Sequence, residues 1–115
     1  MNEFSKRMIK IIKQIPAGKV ITYGLVAEIA GNSNASLQVS RLLNSSSEKY
    51  KLPWHRVINS KGEISLPENG GLEIQKKLLE NEGIRFNGKK VIDFKTHLMN
   101  RDEIDFDELE IEWDI

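Results

Sequence analysis

Three apolar stripes at helical spacing, separated by proline and glycine, constrain the first half of this chain more than any other feature. The first stripe recurs at intervals of three and four residues with basic residues between: Phe4, Met8, Ile11 and Ile12. This spacing predicts an amphipathic helix over residues 4–14. Pro16 and Gly18 predict a turn directly after it.

The next two stripes predict a pair of helices joined by a tight turn. Thr22 can cap a second helix that stops at Gly31. After the polar turn over residues 32–34, a third helix is predicted to run to about Asn44. Its stripe consists of Ala35, Val39, Leu42 and Leu43. Two helices around a short glycine-containing turn are the helix-turn-helix arrangement, which is typical of DNA-binding domains but also occurs in other helical bundles.

The second half of the chain predicts smaller elements. Residues 45–49 are expected to form a polar loop, and residues 57–64 a short hairpin around Lys61-Gly62. A fourth helix is predicted from Gly71 to Glu82. Its buried residues are expected to be Leu72, Leu78 and Leu79. The last short strand is expected to contain Val91, Ile92 and Phe94, and the domain to end near His97.

Charge divides the chain into a basic part and an acidic end. Residues 1–100 carry sixteen Lys and Arg against nine Asp and Glu, a net charge of +7. Residues 101–115 carry one Arg against eight acidic residues, a net charge of −7. The positive charge of residues 1–100 favours binding of a polyanion. Residues 98–115 are expected to be an acidic tail: an interaction segment, a strand laid over the basic part, or a disordered solubilising end.

Composition narrows the class of protein. At 115 residues the chain is expected to form one domain of 1–97 before the tail. It has no cysteine, and its two histidines, His55 and His97, are too separated to indicate a zinc centre, so no metal and no cofactor are expected. No apolar run approaches the roughly 20 residues that cross a bilayer, and the expected location is the cytoplasm.

Two motifs carry a family resemblance. They are IPAGKVITYG over residues 15–24 and PWHRV over residues 53–57. Over roughly residues 3–94 the chain resembles the O6-alkylguanine-DNA alkyltransferases, which have a cysteine where Trp54 stands. It is therefore most similar to the alkyltransferase-like proteins, which recognise alkylated guanine without repairing it. The resemblance implies a mainly α, winged-helix-like three-helix DNA-binding domain with a small β-hairpin, and a role for Arg56 in holding the site loop.

The resemblance also implies a lesion pocket formed by Tyr23, Trp54, His55, Val57 and Glu82. Tyr23 matches the residue that helps to rotate the target base out of the stack. Trp54 is either a core anchor or the floor of the pocket. His55 and Glu82 are expected to form a structural hydrogen bond. No catalytic residue is expected, because irreversible alkyl transfer requires a thiolate and an indole is not a comparable nucleophile.

The third helix is expected to supply most DNA contacts. On a helical wheel of about 100° per residue, Leu37 lies opposite the apolar stripe. The family has an arginine at this position, which fills the space left by the flipped base, whereas Leu37 offers an apolar wedge for the minor groove. The residues expected to contact DNA are Thr22, Tyr23, Gly24, Ala35, Ser36, Leu37, Ser40, Arg41, Asn44 and Ser60.

These observations lead to one main hypothesis and two rivals. The main hypothesis is a monomeric, non-enzymatic protein that binds O6-alkylguanine in duplex DNA and marks it for another pathway, such as nucleotide excision repair. The first rival is a helix-turn-helix DNA binder or regulator without lesion specificity, which the departure at Leu37 favours. The second is an enzyme with an unfamiliar nucleophile, which the absence of cysteine disfavours.

Overall fold

The computed structural model describes residues 1–110, which form five α-helices and two small sheets. The helices are α1 (Glu3–Ile12), α2 (Tyr23–Ala30), α3 (Ser36–Tyr50), α4 (Glu73–Glu80) and α5 (Phe94–His97). The strands are β1 (Ile21–Thr22), β2 (Val57–Ile58), β3 (Phe86–Asn87) and β4 (Lys90–Val91). No helix within residues 1–110 combines the length and the apolar character needed to cross a membrane.

The first three helices form where their apolar stripes predict them. The Asn2 side chain caps α1 by accepting the Ser5 N–H at 2.8 Å, and the Thr22 hydroxyl caps α2 by accepting the Leu25 N–H at 3.1 Å. α2 ends at Gly31, whose φ of 119° is accessible to glycine but strained for other residues. The buried faces of α1, α2 and α3 enclose the main core. The predicted helix-turn-helix is therefore present as α2 and α3.

α3 ends six residues later than predicted, so the prediction of a polar loop at residues 45–49 is wrong. No glycine or proline interrupts the serine-rich segment, and Tyr50 packs against the core, which extends the helix. The helix ends where Lys51 adopts a left-handed conformation with φ 54° and the Leu52 N–H donates to the Ser47 carbonyl at 2.9 Å. Pro53 follows, and Trp54–Arg56 form a single 3₁₀ turn.

The hairpin expected over residues 57–64 is also corrected. A turn does form there, because the Asn59 side chain accepts the N–H groups of Lys61 and Glu63. However, β2 pairs in parallel with β1, with Ile21 opposite Val57, and Glu63 bridges to Lys90. Local pairing is limited to the turn itself, where the Asn59 N–H donates to the Glu63 carbonyl at 3.1 Å, and the antiparallel hairpin of this fold is β3–β4.

The fourth helix begins later than predicted. Residues 68–72 form a π-turn in which Gly71 has φ 113°, and the regular helix α4 starts only at Glu73. Leu79 is buried as expected, but Leu78 is only partly buried. The last strand contains Val91, whereas Phe94 starts the short helix α5.

The boundary expected near His97 does not separate a tail from the domain within the described residues. Met99, Ile104 and Leu109 are buried in the main core. The Gln14 side chain fixes this segment to α1, since it donates to the Asp105 carbonyl at 3.0 Å and accepts the Asp105 N–H at 2.8 Å. Apolar burial outweighs the segment's acidity here. The last part of the expected tail, residues 111–115, lies outside the described residues.

Candidate nucleic-acid interface

A cavity of about 650 Å³ lies between α3, the segment that carries Trp54 and the turn before α4. Its lining residues are Tyr23, Ser40, Leu43, Asn44, Ser47, Glu48, Lys51, Leu52, Trp54, Leu66, Gly70 and Gly71. Aromatic and aliphatic side chains form part of the wall, and polar side chains of α3 form the rest. Concave sites that combine apolar area with a few polar groups are typical of ligand binding.

Trp54 lies in the wall of this cavity and is only partly buried. It starts the 3₁₀ turn after Pro53, and its indole ring meets the His55 ring edge-on, with centroids 6.1 Å apart and an interplanar angle of 82°. Of the two interpretations of this tryptophan, this position agrees with the pocket wall rather than with a core anchor.

Tyr23 also contributes to the cavity and connects it to a second, smaller one. Tyr23 is the first residue of α2, and its partly buried side chain packs against the core. The second cavity, of about 270 Å³, is lined by Tyr23, Ser36, Leu37, Ser40 and Ser65. Tyr23 and Ser40 line both cavities. The two cavities are therefore neighbours, one next to Trp54 and the other next to the exposed start of α3.

Glu82 joins three segments around the base of the Trp54 turn. Its carboxylate accepts hydrogen bonds from His55 Nε2 at 2.8 Å, from Arg56 Nη2 at 2.7 Å and from the Gly18 N–H at 3.1 Å. Arg56 also donates to the Ile15 carbonyl at 2.8 Å. The structure thus contains the predicted His55–Glu82 bond, and Arg56 holds the site loop as the resemblance implies.

The same contacts determine the protonation of Glu82. Burial alone raises the pKa of this carboxyl, but the hydrogen bonds from Arg56, His55 and Gly18, together with the Arg56 charge, outweigh burial and lower the pKa to about 2. Glu82 is therefore ionised at neutral pH. Its charge is balanced by a guanidinium, as expected for a structural ion pair.

Gln75 is a buried polar residue that the sequence did not single out. Its side-chain N–H groups donate to the carbonyls of His55 and Val57, both at 3.0 Å. Only 1% of the residue is exposed. α4 therefore holds the turn after Trp54 through a side-chain amide as well as through the carboxylate that follows the helix.

The structure brings together only part of the predicted lesion pocket. Tyr23 and Trp54 line the cavity, whereas His55, Val57 and Glu82 are not among its lining residues. Val57 is fully buried in the core, so its side chain is unavailable to a ligand. His55 and Glu82 each have 14% of the side chain exposed and support the turn instead.

The predicted DNA-contacting residues are also divided. Ala35 is 1% exposed and packs in the core, so its side chain is not available for such a contact. Leu37 is 58% exposed, in agreement with its position on the helical wheel. Exposed or partly exposed residues make up the rest of the set: Thr22, Tyr23, Gly24, Ser36, Ser40, Arg41, Asn44 and Ser60. Their contacts with DNA stay predictions.

Sequence reasoning missed the cavity residues that follow Asn44. Ser40, Asn44, Ser47 and Lys51 are spaced by four, three and four residues, which places them along one helical face. Ending α3 at Asn44 hid Ser47 and Lys51. The missed signal was the absence of any helix breaker before Pro53.

Comparison with known proteins agrees with this fold. A model of the family described as "6-O-methylguanine DNA methyltransferase, DNA binding domain" matches residues 3–84. A Vibrio parahaemolyticus protein named DNA base-flipping protein is 46% identical over 84 residues, which cover 73% of this chain and 83% of that protein. Alkyltransferase-like protein 1 of Schizosaccharomyces pombe is 35% identical over 99 residues, covering 85% and 92% of the two chains.

A solved structure shows the same architecture. The crystal structure of S. pombe Atl1 in complex with damaged DNA containing O6-carboxymethylguanine matches with a TM-score of 0.74 and 31% identity, covering 87% of this chain and 97% of that one. The predictions of family and of a mainly helical DNA-binding fold are confirmed. The chain therefore belongs to the 6-O-methylguanine DNA methyltransferase DNA-binding domain family, together with the alkyltransferase-like and base-flipping proteins that it matches.

Proposed function

We propose that this protein recognises O6-alkylguanine in duplex DNA by rotating the damaged nucleotide into the cavity lined by Tyr23 and Trp54. It binds without chemistry, as a monomer, and marks the lesion for another pathway such as nucleotide excision repair. The observation that carries the proposal is that one cavity brings together the two aromatic side chains from the two sequence motifs. Relatives named for base flipping and for alkyltransferase likeness support it.

Trp54 gives the cavity a surface suited to a nucleobase. An aromatic ring that stacks on or packs against an unstacked base contributes roughly 1–3 kcal/mol. Extruding a base costs a few kcal/mol, and less where the base already pairs badly. Both amounts are similar, so a modest weakening of base pairing by the alkyl group is enough to favour the lesion.

Tyr23 and Leu37 provide the means of extrusion. Tyr23 is the first residue of α2, where unpaired N–H groups and the helix dipole favour a phosphate. Leu37 stands exposed beside the smaller cavity, and minor-groove proteins insert such apolar side chains between base steps. Tyr23 thereby acts on the backbone of the target nucleotide while Leu37 occupies the vacated space.

The cavity lacks the group needed for alkyl transfer. The chain contains no cysteine, so transfer to a thiolate is excluded. The neighbouring His55 is already hydrogen-bonded to Glu82 at 2.8 Å, which orients it within the fold. The lesion is therefore released unchanged or passed to another protein.

Binding to matched duplexes tests the proposal. Fluorescence anisotropy should show tighter binding to a duplex with one O6-methylguanine than to the same duplex with guanine. Tyr23→Ala should reduce that preference, because the tyrosine acts on extrusion, whereas Tyr50→Ala removes a tyrosine that does not line either cavity and should preserve it. Mass analysis of the protein after incubation should show no alkyl adduct.

The rival is a helix-turn-helix protein without lesion specificity, and the leucine at position 37 is the observation that favours it. Equal affinity of the wild-type protein for both duplexes would establish this rival and reject lesion recognition. A stoichiometric alkyl adduct on any residue would reject the non-enzymatic role.

A further inference from the structure

The polar wall of the main cavity contains a serine hydroxyl that forms no hydrogen bond within α3. Serine hydroxyls inside helices commonly bond to a carbonyl in the preceding turn. Ser45 does so, with its Oγ 3.4 Å from the Leu42 carbonyl, and Ser46 Oγ lies 3.1 Å from Ser45 Oγ. Ser47 Oγ is shielded from solvent and has no hydrogen-bond partner within residues 1–110.

Burying a hydroxyl group without a hydrogen-bond partner costs free energy. In Ser47, rotation about a single side-chain bond changes the direction of the hydroxyl. Ser47 lines the cavity, and rotation about its Cα–Cβ bond is the movement by which the hydroxyl would reach a bound group. Serine is short and has few other side-chain torsions to restrict, so this rotation has a small entropic cost. A ligand atom that accepts or donates a hydrogen bond gives Ser47 the partner that the helix does not.

The charges in the cavity wall indicate which kind of polar group fits. Glu48 and Lys51 line the same wall and carry opposite charges. An anionic group gains from one of them and is repelled by the other, and the same holds for a cation. A neutral group that hydrogen-bonds is favoured by Ser47 and is penalised by neither charged side chain.

We propose that Ser47 makes the cavity select O6-alkyl groups that end in a neutral hydrogen-bonding oxygen, such as 2-hydroxyethyl, over apolar groups of the same size. This inference rests on the proposed function, because it assigns the end of the alkyl substituent to the polar wall of α3. Trp54 and Leu52, in the same cavity, then serve the base and the apolar part of the substituent.

Three otherwise identical duplexes test the inference, containing guanine, O6-propylguanine or O6-(2-hydroxyethyl)guanine. The two alkyl groups have the same length and differ only in a terminal methyl or hydroxyl. One net hydrogen bond between neutral groups corresponds to about 3- to 10-fold in affinity. The wild-type protein should therefore bind the hydroxyethyl duplex about 3- to 10-fold more tightly than the propyl duplex, measured by competition anisotropy.

Substitutions at neighbouring serines identify the responsible hydroxyl. Ser47→Ala should abolish the preference for hydroxyethyl while binding the propyl duplex at least as tightly as the wild type does. Ser47→Thr keeps a hydroxyl and should retain the preference. Ser46→Ala is the matched control, since Ser46 does not line the cavity, and it should retain the preference as well. Circular dichroism confirms that each variant is folded.

The outcomes separate the two proposals. If both alkylated duplexes bind more tightly than guanine but equally to each other, the proposed function stands and the role of Ser47 is wrong. A preference that survives Ser47→Ala overturns it too. If neither alkylated duplex is preferred over guanine, lesion recognition fails, and the inference about Ser47 fails with it.

Discussion

Glu82→Gln is the substitution that best tests whether the histidine, arginine and carboxylate near Trp54 serve the fold. The pKa of Glu82 lies near 2 against an ordinary value of 4.5. Each unit of pKa difference corresponds to about 1.4 kcal/mol, so the ionised carboxylate contributes roughly 3 kcal/mol to the free energy of unfolding. Only 14% of the side chain is exposed, so solvent screens these contacts weakly.

The sign of the pH dependence follows from the lowered pKa. Because the folded protein holds Glu82 deprotonated more strongly than the unfolded chain does, its contribution is fully present above about pH 4.5. It is lost as the pH falls from there through about 2. Glutamine keeps the size of the side chain but cannot carry the charge that Arg56 requires, so the loss should be present at pH 7 and should not increase on acidification.

Urea denaturation followed by circular dichroism measures this effect. At pH 7, Glu82→Gln should lower the free energy of unfolding by about 3 kcal/mol, whereas the matched control Glu80→Gln, at an exposed position of α4, should change it by less than about 0.5 kcal/mol. Between pH 4.5 and 2 the wild type should lose more stability than the variant. A cost at pH 7 below about 1 kcal/mol, or identical acid sensitivity of both proteins, would refute the reasoning.

Two further predictions concern other parts of the molecule. Leu37→Arg should tighten binding to an O6-methylguanine duplex about tenfold, because a hydrogen bond from a charged group contributes roughly 1.5 kcal/mol. The control Gln38→Arg adds the same charge at the next residue and should tighten binding less. Equal gains for the two variants in an anisotropy titration would show a general effect of charge. Ile104→Ala should lower the free energy of unfolding by about 2–4 kcal/mol, since its side chain is buried in the core. Phe106→Ala, at a 42% exposed neighbour, should have a smaller effect in urea denaturation, and the reverse order would contradict the observed packing.

The helices of this fold could be predicted where apolar periodicity coincided with a local end signal. Thr22 and Gly31 mark the two ends of α2 by their own chemistry, so its bounds followed from the sequence. The end of α3 has no such signal, since Lys51 adopts the left-handed conformation without being glycine or asparagine. The position of that end depends on Tyr50 and Leu52 packing against other segments, which periodicity within α3 does not reveal.

Pairing over long sequence distances was the other unpredictable element. β1 and β2 contain two residues each and are 36 positions apart at the paired Ile21 and Val57, so no local pattern announces their parallel register. The same applies to Gln14, whose side-chain amide pairs with both the main-chain N–H and the main-chain carbonyl of Asp105 in the acidic segment. Composition correctly identified that segment as acidic, but its three buried apolar side chains determine where it lies.

In the candidate site, the residues within the two motifs could be predicted from the sequence, whereas the residues that depend on their surroundings could not. The two motifs identified Tyr23 and Trp54, and the structure places both in one cavity. The family resemblance also identified His55, which lies in the second motif, and Glu82, which lies in neither. Their hydrogen bond could be predicted, but their position outside the cavity lining could not. Ser47 belongs to neither motif. Its significance arises from the continuation of α3, which the absence of a helix breaker before Pro53 allows, and from the missing partner of its hydroxyl, which only the structure reveals.

The hydrogen bonds around Trp54 explain how the proposed recognition site is held in place. Gln75 holds the carbonyls of His55 and Val57, Arg56 holds the Ile15 carbonyl, and Glu82 holds both His55 and Arg56. These bonds hold the three residues that follow Trp54, and so fix the turn that carries the indole. Preformed positions reduce the ordering cost of binding. The ionised carboxylate near the site is therefore explained by the need to position an aromatic surface, and its presence does not require a nucleophile.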